Sequence, residues 1–531
     1  MVYPGGNRTV WLAVALCLSG LGFGDASAAD VSEGEHRGKP TMTRCLIHNE
    51  DCSNYYMLNG PEDMCVESLH AFIDRYAGTQ LTHMFLNGNA MRTSFDSDVR
   101  DHIWGAGDPE PGIAQGRFSE SGAKWARHAY SLAKAGIDPY AVWIERCHMH
   151  GISPWISMRM NDCHENNDTS SYIHSRFWVE HPEYWRGGTG YFARCMDYGA
   201  KEVYEHQMAL VREYLDRYDL DGLELDWMRE CFCFKPGEEE AGRATLTRFM
   251  REARAMADRY GKQRGRAIKL AARVPALPEA SLGWGLDGVA WVKEGLVDIL
   301  VPTARWATTD FDIPIDRWRD LLGDAAKDIS LAAGMEIRIQ PYPGASAVMS
   351  GIETLRGFSA AMLERGADQI YLFNHMHTLA TPIEAMRPIY TEAGRMDTVI
   401  DKPRRHVVTY RDISPPNETL ANALPADIGD AAEAEFAIYI GPAPKTGKVV
   451  VRAGLAELSG VKEAQFGVRV NASDCPAAED HADPAQFCGA ARVLQFEAPL
   501  SAMKRGYNDV TVALSKGQPQ RVVWMELFIV P

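Results

Sequence analysis

The sequence of 531 residues lacks several signals that would place it in a common class of protein. It has no internal repeat, no low-complexity segment and no glycine loop of the kind that cradles a phosphate or a dinucleotide, so no cofactor is implied. No paired CxxC knuckles occur, which argues against a zinc site. After the first residues, no segment approaches the run of about 20 apolar residues that crosses a bilayer.

Positive charge is scarce relative to negative charge. The chain carries 55 Lys and Arg residues against 71 Asp and Glu residues, which gives a formal net charge of -16. Because an acidic surface repels phosphate groups, nucleic acid and anionic membranes are not expected as partners. The charge does not identify a substrate, and the sequence leaves the oligomeric state open.

Residues 1–28 are typical of a cleavable signal peptide. Arg8 provides a basic start, residues 10–23 are largely apolar, and residues 26–28 are the small residues that signal peptidase prefers. We expect cleavage after Ala28 and a secreted or periplasmic protein.

The cysteines fit an oxidising compartment. The chain has 11 cysteines, and loss of Cys17 with the signal peptide leaves an even number. Cys475 and Cys488 are close in sequence and are predicted to form a disulfide bond. The spacing of the other cysteines does not define their partners.

Residues 29–400 are predicted to form a (β/α)8 TIM barrel of the α/β class, because eight short apolar segments alternate with helix-like segments. Several of these segments are continuously apolar, as expected for strands that are buried on both faces. The predicted strands are 44–48, 81–86, 153–160, 222–227, 268–273, 298–302, 330–335 and 369–373. Two long connections, 87–119 and 161–199, leave the strand ends at which a barrel builds its active site.

Residues 401–531 are predicted to form an all-β sandwich, because apolar segments are separated there by turn residues without a strong helix. The predicted strands are 407–410, 434–440, 448–453, 466–470, 508–514 and 521–530. Two roles stay open for this region: stabilisation of the barrel and binding of carbohydrate.

The fourth predicted strand of the barrel carries two carboxylates on one face. Glu224 and Asp226 are two residues apart, so both side chains project into the barrel at the upper end of the strand. Their proximity and partial desolvation should raise the pKa of at least one of them, as a general acid requires. The alternative is a structural pair that Arg159 or Arg229 holds in place.

Glu336 follows the seventh predicted strand and is the expected partner of the acidic strand. Glycosidic cleavage needs one carboxylic acid to protonate the leaving oxygen and a second carboxylate to attack the sugar or activate water. We assign Glu224 as general acid/base, Glu336 as nucleophile or base, and Asp226 as a group that tunes or replaces Glu224. The alternative for Glu336 is an ion pair with Arg338 or Arg305.

Polar and aromatic side chains near the strand ends are the candidates for substrate binding. Polar groups can hydrogen-bond sugar hydroxyls, and aromatic rings can stack on the apolar faces of sugars. The candidates are Arg159, Asn161, His164, Trp227, Trp306, Tyr342, Asn374 and His375. His375 and His377 could instead bind a metal, but no carboxylate accompanies them locally, so hydroxyl recognition is favoured.

Residues 221–227 resemble the fourth-strand motif of the family 18 chitinases, in which Asp-Gly and alternating acids precede a terminal catalytic Glu. Met228 stands at the position of that Glu, so the substrate-assisted chemistry of chitinases is not implied. With the Arg-Met-Asn-Asp segment 159–162, residues 221–229 resemble more closely the "hypothetical glycosyl hydrolase" barrels of secreted environmental bacteria. That resemblance covers residues 43–396 and implies glycosidase chemistry without naming a substrate.

The positions of the acids, after strands four and seven, are also similar to those in a large clan of retaining barrel glycosidases. Leu223 stands where that clan usually has an Asn before the acid. The leading hypothesis is therefore hydrolysis of glycosidic bonds in an extracellular poly- or oligosaccharide. The alternatives are a non-catalytic carbohydrate-binding barrel and a metal-dependent carbohydrate esterase or lyase.

Overall fold

The computed structural model describes residues 45–106, 119–378, 381–429 and 432–531. The predicted signal peptide and its cleavage site lie outside these residues. In the part of the chain that the structure describes, no helix is both long enough and apolar enough to cross a membrane.

Eight parallel strands close into a barrel, as the sequence predicts, and each observed strand begins and ends within two residues of its predicted position. A hairpin of two short strands, β8 (Arg338–Ile339) and β9 (Val348–Met349), follows the seventh barrel strand. The barrel strands are β1 (Leu46–Glu50), β2 (Leu81–Asn87), β3 (Ser153–Arg159), β4 (Gly222–Asp226), β5 (Lys269–Pro275), β6 (Ile299–Thr303), β7 (Ser330–Glu336) and β10 (Gln369–Phe373).

Helices connect the barrel strands and cover their outer faces. The longest, α7, ends at Gly265, whose φ of +72° is the left-handed conformation that glycine adopts without strain. The helices are α1 (Asn54–Leu58), α2 (Val66–Asp74), α3 (Glu120–Lys134), α4 (Pro139–Met149), α5 (Arg176–Glu180), α6 (Lys201–Arg217), α7 (Glu239–Arg264), α8 (Pro278–Gly283), α9 (Gly288–Lys293), α10 (Ile315–Leu322), α11 (Ile352–Glu364), α12 (Ile383–Glu392) and α13 (Met396–Val399).

Side chains alternate between the two faces of each strand. Those that face outward form an apolar layer, and those that face inward are polar at one end of the barrel. In β4, Leu223 and Leu225 lie in the core beneath the helices, and Glu224 and Asp226 face inward. A separate apolar cluster fills the rest of the interior, formed by Ile47, Phe85, Trp155, Ala271, Ile299, Val301, Ala332, Tyr371 and Phe373. The inward carboxyl groups therefore lie towards the carboxyl ends of the strands, beside this cluster.

Two antiparallel sheets follow the barrel and share one apolar core, as predicted. One has the order β11-β19-β14-β17, with β12 paired to β19, and the other has the order β13-β18-β15-β16. The strands are β11 (Arg404–Val407), β12 (Ala426–Ile428), β13 (Ala434–Tyr439), β14 (Lys448–Leu455), β15 (Gln465–Val470), β16 (Ser473–Cys475), β17 (Arg492–Ala498), β18 (Tyr507–Lys516) and β19 (Gln520–Val530). Three of them, β12, β16 and β17, were not among the predicted strands, and the predicted strand 407–410 begins earlier, at Arg404. The domain boundary at residue 400 stays a prediction.

The predicted disulfide bond between Cys475 and Cys488 is wrong in this structure, which has both residues as free thiols. Cys475 ends β16, and its Sγ atom lies 3.7 Å from the carbonyl oxygen of Ser473. Cys488 lies instead against the β8 strand, with its Sγ atom 3.9 Å from the carbonyl oxygen of Ile339. Closeness in sequence did not bring the two thiols together, because the chain between them crosses from one sheet to the edge of the barrel.

Candidate active site

Glu224 lies inside the barrel and is completely buried. Its Oε2 atom accepts hydrogen bonds from the Tyr371 hydroxyl at 2.9 Å and from the Asn49 amide at 3.2 Å. Its Oε1 atom has no hydrogen-bond partner among the described residues. Burial, reinforced by the negative charge of Asp226, raises the pKa of Glu224 to about 8. Glu224 is therefore a carboxyl group that holds its proton at neutral pH.

Asp226 is the last residue of β4 and has a different environment. Its Oδ1 atom accepts backbone N–H groups from Met228 at 3.0 Å and Arg229 at 3.2 Å. Its Oδ2 atom accepts a hydrogen bond from the Arg273 guanidinium at 3.1 Å. All three partners are hydrogen-bond donors, and one is cationic, so both carboxylate oxygens of Asp226 are held in place.

Glu336 is the last residue of β7 and is 1% exposed. The Asn374 amide lies 3.2 and 3.3 Å from its two oxygens, and the Ile337 backbone N–H donates to Oε1 at 3.1 Å. Burial raises the pKa of Glu336 to about 7, although Asn374, Arg229 and Arg273 act in the opposite direction. This pKa suits a group that gives and takes a proton near neutral pH.

The three acids lie at two depths in the barrel. Asp226 and Glu336 each end their strand, whereas Glu224 is two residues earlier on β4. Two residues of a strand span about 7 Å, so Glu224 lies roughly that far below Asp226. The pair at the mouth of the barrel is therefore Asp226 and Glu336.

Arg273, on β5, is the cation that all three acids share. Burial alone would lower its pKa, but Asp226, Tyr371, Glu224 and Glu336 together raise it above the ordinary value. Its guanidinium carbon lies 3.9 Å from the centre of the Phe373 ring, which fixes its position. Arg273 was not among the predicted site residues, although a charged residue near the end of a largely apolar strand is a signal that could have found it.

The ion pairs considered as alternatives for the acids are not formed. Arg305 binds Glu230 instead of Glu336, with N–O distances of 2.8 and 3.0 Å. The Arg338 guanidinium lies 4.4 Å above the ring of Trp306. Arg159 binds Asp51 and Asp162, and the side chain of Arg229 binds His164. The side chain that forms an ion pair with Asp226 is Arg273.

The rim of the barrel mouth carries a connected polar network. Arg159 bridges Asp51 and Asp162, at 3.0 Å from the latter. His164 continues the network, because its Nδ1 atom lies 2.8 Å from Asp162, and Arg229 donates to its Nε2 atom at 2.8 Å. A guanidinium can only donate, so Nε2 accepts and Nδ1 carries the hydrogen. Of the predicted binding residues, Arg159 and His164 thus belong to one rigid array.

Four of the predicted binding residues do not face this site. The Asn161 side chain is hydrogen-bonded to the backbone of Met196 and Phe232. Trp227 is fully buried among the helices outside the barrel. Tyr342 packs against the C-terminal sheets. His375 is fully buried, with its Nδ1 atom 3.0 Å from the Phe373 carbonyl. Strand-end position alone did not distinguish inward from outward side chains.

Trp306 and Asn374 remain as candidate contacts to a ligand. Trp306 is 40% exposed on the loop after β6. Asp412 anchors that loop by accepting the backbone N–H groups of Arg305, Trp306 and Ala307 at 2.9 to 3.1 Å. Asn374 is partly exposed and bonded to Glu336, so it connects the buried carboxyl group to the solvent side.

The described residues hold no cluster of three or more His, Cys, Asp or Glu side chains able to bind a metal ion. His375 and His377 therefore do not belong to such a cluster. Burial lowers the pKa of His375 to about 3, and His377 lies 3.0 Å from the Arg75 guanidinium. A cation beside His377 disfavours a second cation there.

The sequence matches no protein-family model and no curated protein, so no family match supports the resemblance of residues 221–227 to chitinases. Solved structures of similar fold include α-L-fucosidase isoenzyme 2 from Paenibacillus thiaminolyticus, at 11% identity over 65% of this chain and TM-score 0.41. This chain covers 48% of that fucosidase. A maltogenic α-amylase from Thermotoga neapolitana shares 9% identity, with 92% of this chain and 99% of the amylase covered and TM-score 0.36. A family GH18 chitinase from Chromobacterium violaceum shares 10% identity over 90% of both chains, with TM-score 0.34. These similarities concern the arrangement of the fold and do not identify a substrate.

Proposed function

We propose that the protein is an exported glycoside hydrolase that cleaves a poly- or oligosaccharide with Asp226 and Glu336. The observation that carries the proposal is the pair of buried carboxyl groups that end β4 and β7 and have different hydrogen-bond partners. Asp226 accepts three N–H hydrogen bonds, whereas desolvation raises the pKa of Glu336 to about 7. Acid-assisted glycosidic cleavage requires one carboxyl group that donates a proton and a second that attacks the sugar or activates water.

Glu336 would act as the general acid. It would donate its proton to the oxygen of the departing sugar while positive charge develops on the ring that remains. Asn374 would keep the carboxyl group oriented, because it contacts both oxygens. Asp226 would attack the sugar or activate a water molecule.

This assignment changes the role first expected for Glu224. Its position below Asp226 and its bonds to Asn49 and Tyr371 support a proton-bearing group beneath the site. The raised pKa of Glu224 avoids a second negative charge next to Asp226. Asp226 thus replaces Glu224 as the reacting group on β4.

Trp306 and the rim network would bind the saccharide. The exposed indole offers a flat apolar surface for a sugar ring, and Arg338 behind it fixes its orientation. His164 is about one-third exposed, but both of its ring nitrogens are engaged by Asp162 and Arg229, so it would support the rim and not bind hydroxyl groups directly.

The direct test is hydrolysis by the full exported chain of a panel of p-nitrophenyl glycosides and plant, algal and bacterial polysaccharides. The wild type should release nitrophenol or reducing ends from at least one substrate. Asp226→Asn and Glu336→Gln should each reduce that rate about 100-fold or more.

Glu50→Gln is the matched control, because Glu50 is also a buried carboxyl group at a strand end but faces away from the barrel interior. It should keep the wild-type rate if it folds, as checked by circular dichroism. Saccharide binding without cleavage by the wild type would favour a binding barrel instead. Full activity in both site variants would overturn the assignment.

A further inference from the structure

Two cysteine thiols meet inside the long connection between β3 and α6. The Sγ atoms of Cys163 and Cys195 are 3.4 Å apart, and both side chains are completely buried. This distance is a direct sulfur–sulfur contact with no room for another atom between them. A disulfide bond needs about 2.05 Å between the sulfurs, so a movement of little more than 1 Å would close it.

The backbone around the two thiols is already held together by other contacts. The Asn161 side chain accepts the Met196 backbone N–H at 2.8 Å and donates to the Met196 carbonyl at 3.2 Å. Three residues beyond Cys163, the Asn166 amide donates to the Tyr191 carbonyl at 2.5 Å. The outgoing and returning arms of the connection are thus fixed on both sides of the cysteine pair.

We propose that Cys163 and Cys195 are a modification site that forms an intramolecular disulfide bond and closes this connection into a covalent loop. The oxidant is a donor disulfide, either a small molecule or a thiol–disulfide oxidoreductase. One cysteine thiolate attacks the donor and forms a mixed disulfide, which frees one donor sulfur as a thiol, and the second thiolate attacks the sulfur of that cysteine and releases the other donor sulfur as a thiol. The protein loses two electrons and two protons, and the donor gains them.

The timing of this reaction follows from burial. Desolvation, together with the neighbouring Cys163, raises the pKa of Cys195 well above the ordinary value, so folded Cys195 holds its proton. Exchange therefore takes place while the connection is still open, during folding after export, and the closed bond is then shielded from reductant.

The bond would also fix the rim of the barrel mouth. Cys163 directly follows Asp162, the carboxylate that binds both Arg159 and His164. Covalent closure would restrict the part of the chain that carries these two positions. The proposal itself does not rest on the glycosidase assignment, because it concerns only the pairing of thiols.

Peptide mapping of the full chain tests the pairing. The protein is refolded with reduced and oxidised glutathione, denatured, alkylated without reduction, digested and analysed by mass spectrometry. The expected result is one linked peptide that contains Cys163 and Cys195, with both residues alkylated only after reduction. Alkylation of both without reduction would overturn the proposal. So would a Cys195–Cys233 link, an alternative because Asn161 also lies 3.9 Å from the Cys233 sulfur.

Thermal unfolding of variants provides a second readout. Dithiothreitol present during refolding should lower the melting temperature of the wild type by several degrees, because the open chain gains conformational freedom in the unfolded state. Cys163→Ser and Cys195→Ser should melt at the lowered temperature with or without reductant. Cys147→Ser, which removes another fully buried thiol, should retain the response. Equal responses in all variants would contradict the proposal, and the wild-type peptide map remains decisive if a variant fails to fold.

Discussion

At the scale of single residues, the barrel interior gives three carboxyl groups three different sets of partners. Glu224 has the neutral donors Asn49 and Tyr371, Asp226 has Arg273 and two backbone N–H groups, and Glu336 has Asn374. Burial raises the pKa of Glu224 to about 8 and that of Glu336 to about 7, so both carboxyl groups can carry a proton near neutral pH.

The raised pKa of Glu224 predicts a pH-dependent effect of Glu224→Gln. Between the ordinary pKa of 4.5 and the folded-state pKa of about 8, folded Glu224 keeps a proton that the unfolded chain has lost. The stability that this proton provides is complete below pH 4.5 and is lost as pH rises towards 8. The variant does not titrate, so its free energy of unfolding should rise relative to the wild type by up to about 1.4 kcal/mol per pH unit in this window.

Urea unfolding of both proteins at pH 5, 6, 7 and 8 measures this difference. Glu497→Gln, an exposed change in the C-terminal sheets, should show no such trend. A constant difference between Glu224→Gln and the wild type at all four pH values would mean that Glu224 ionises normally.

The sequence was informative about Glu224, Asp226 and Glu336 because strand alternation fixes which side chains share a face. It did not show which acids Arg273 would pair with, since pairing across strands depends on barrel register and not on the order of residues. It also misplaced Trp227, because the chain turns after Asp226 and directs the indole towards Phe249 and not into the mouth.

At the scale of secondary-structure elements, the contact between α11 and β11 joins the barrel to the C-terminal sheets. Gly357 on α11 lies so close to β11 that a Cβ atom there would be 1.9 Å from the Arg405 carbonyl oxygen. The helix therefore rests directly on the strand backbone, and no larger residue fits without separating the two.

Gly357→Ala should consequently destabilise the protein, although alanine is favoured over glycine within a helix by about 1 kcal/mol. The backbone clash should outweigh that gain and lower the melting temperature, measured by calorimetry. Gly351→Ala is the control, because nothing lies within 4 Å of a Cβ atom at that position. A Gly357→Ala variant as stable as the wild type would show that α11 can move away freely.

The elements were predictable to different extents. The barrel strands are short apolar segments that alternate with helical segments, a pattern that is visible in the local sequence. In contrast, β12 and β16 contain three residues each, and their pairing with β19 and β15 comes from the sheet and not from their own sequence.

At the scale of the whole molecule, polar contacts join the barrel to the sheets that follow it. Arg365 of the barrel donates to the Tyr507 hydroxyl at 2.7 Å, and Arg411 binds the buried Asp310 at 2.9 Å. Asp412 anchors the loop that carries Trp306. These contacts favour a stabilising role for the C-terminal region.

A chain that ends at Pro403 should therefore fold poorly. Its Asp310 would lose the Arg411 partner while buried, which is costly, and the α11 face beside Gly357 would lose its cover. Soluble yield and calorimetry after expression measure the effect, and co-expression of residues 404–531 should restore soluble barrel. A truncated barrel that melts at the wild-type temperature would show that the region is an independent accessory domain.

Glu336 is proposed to donate a proton to a departing sugar, and the dependence of kcat/KM on pH measures that role. With the fastest substrate of the panel, the wild-type kcat/KM should fall as pH rises through about 7, because Glu336 then loses the proton that it must donate. The residual activity of Glu336→Gln should lack this decline. A wild-type kcat/KM that stays constant between pH 6 and 9, or the same decline in Glu336→Gln, would contradict the account.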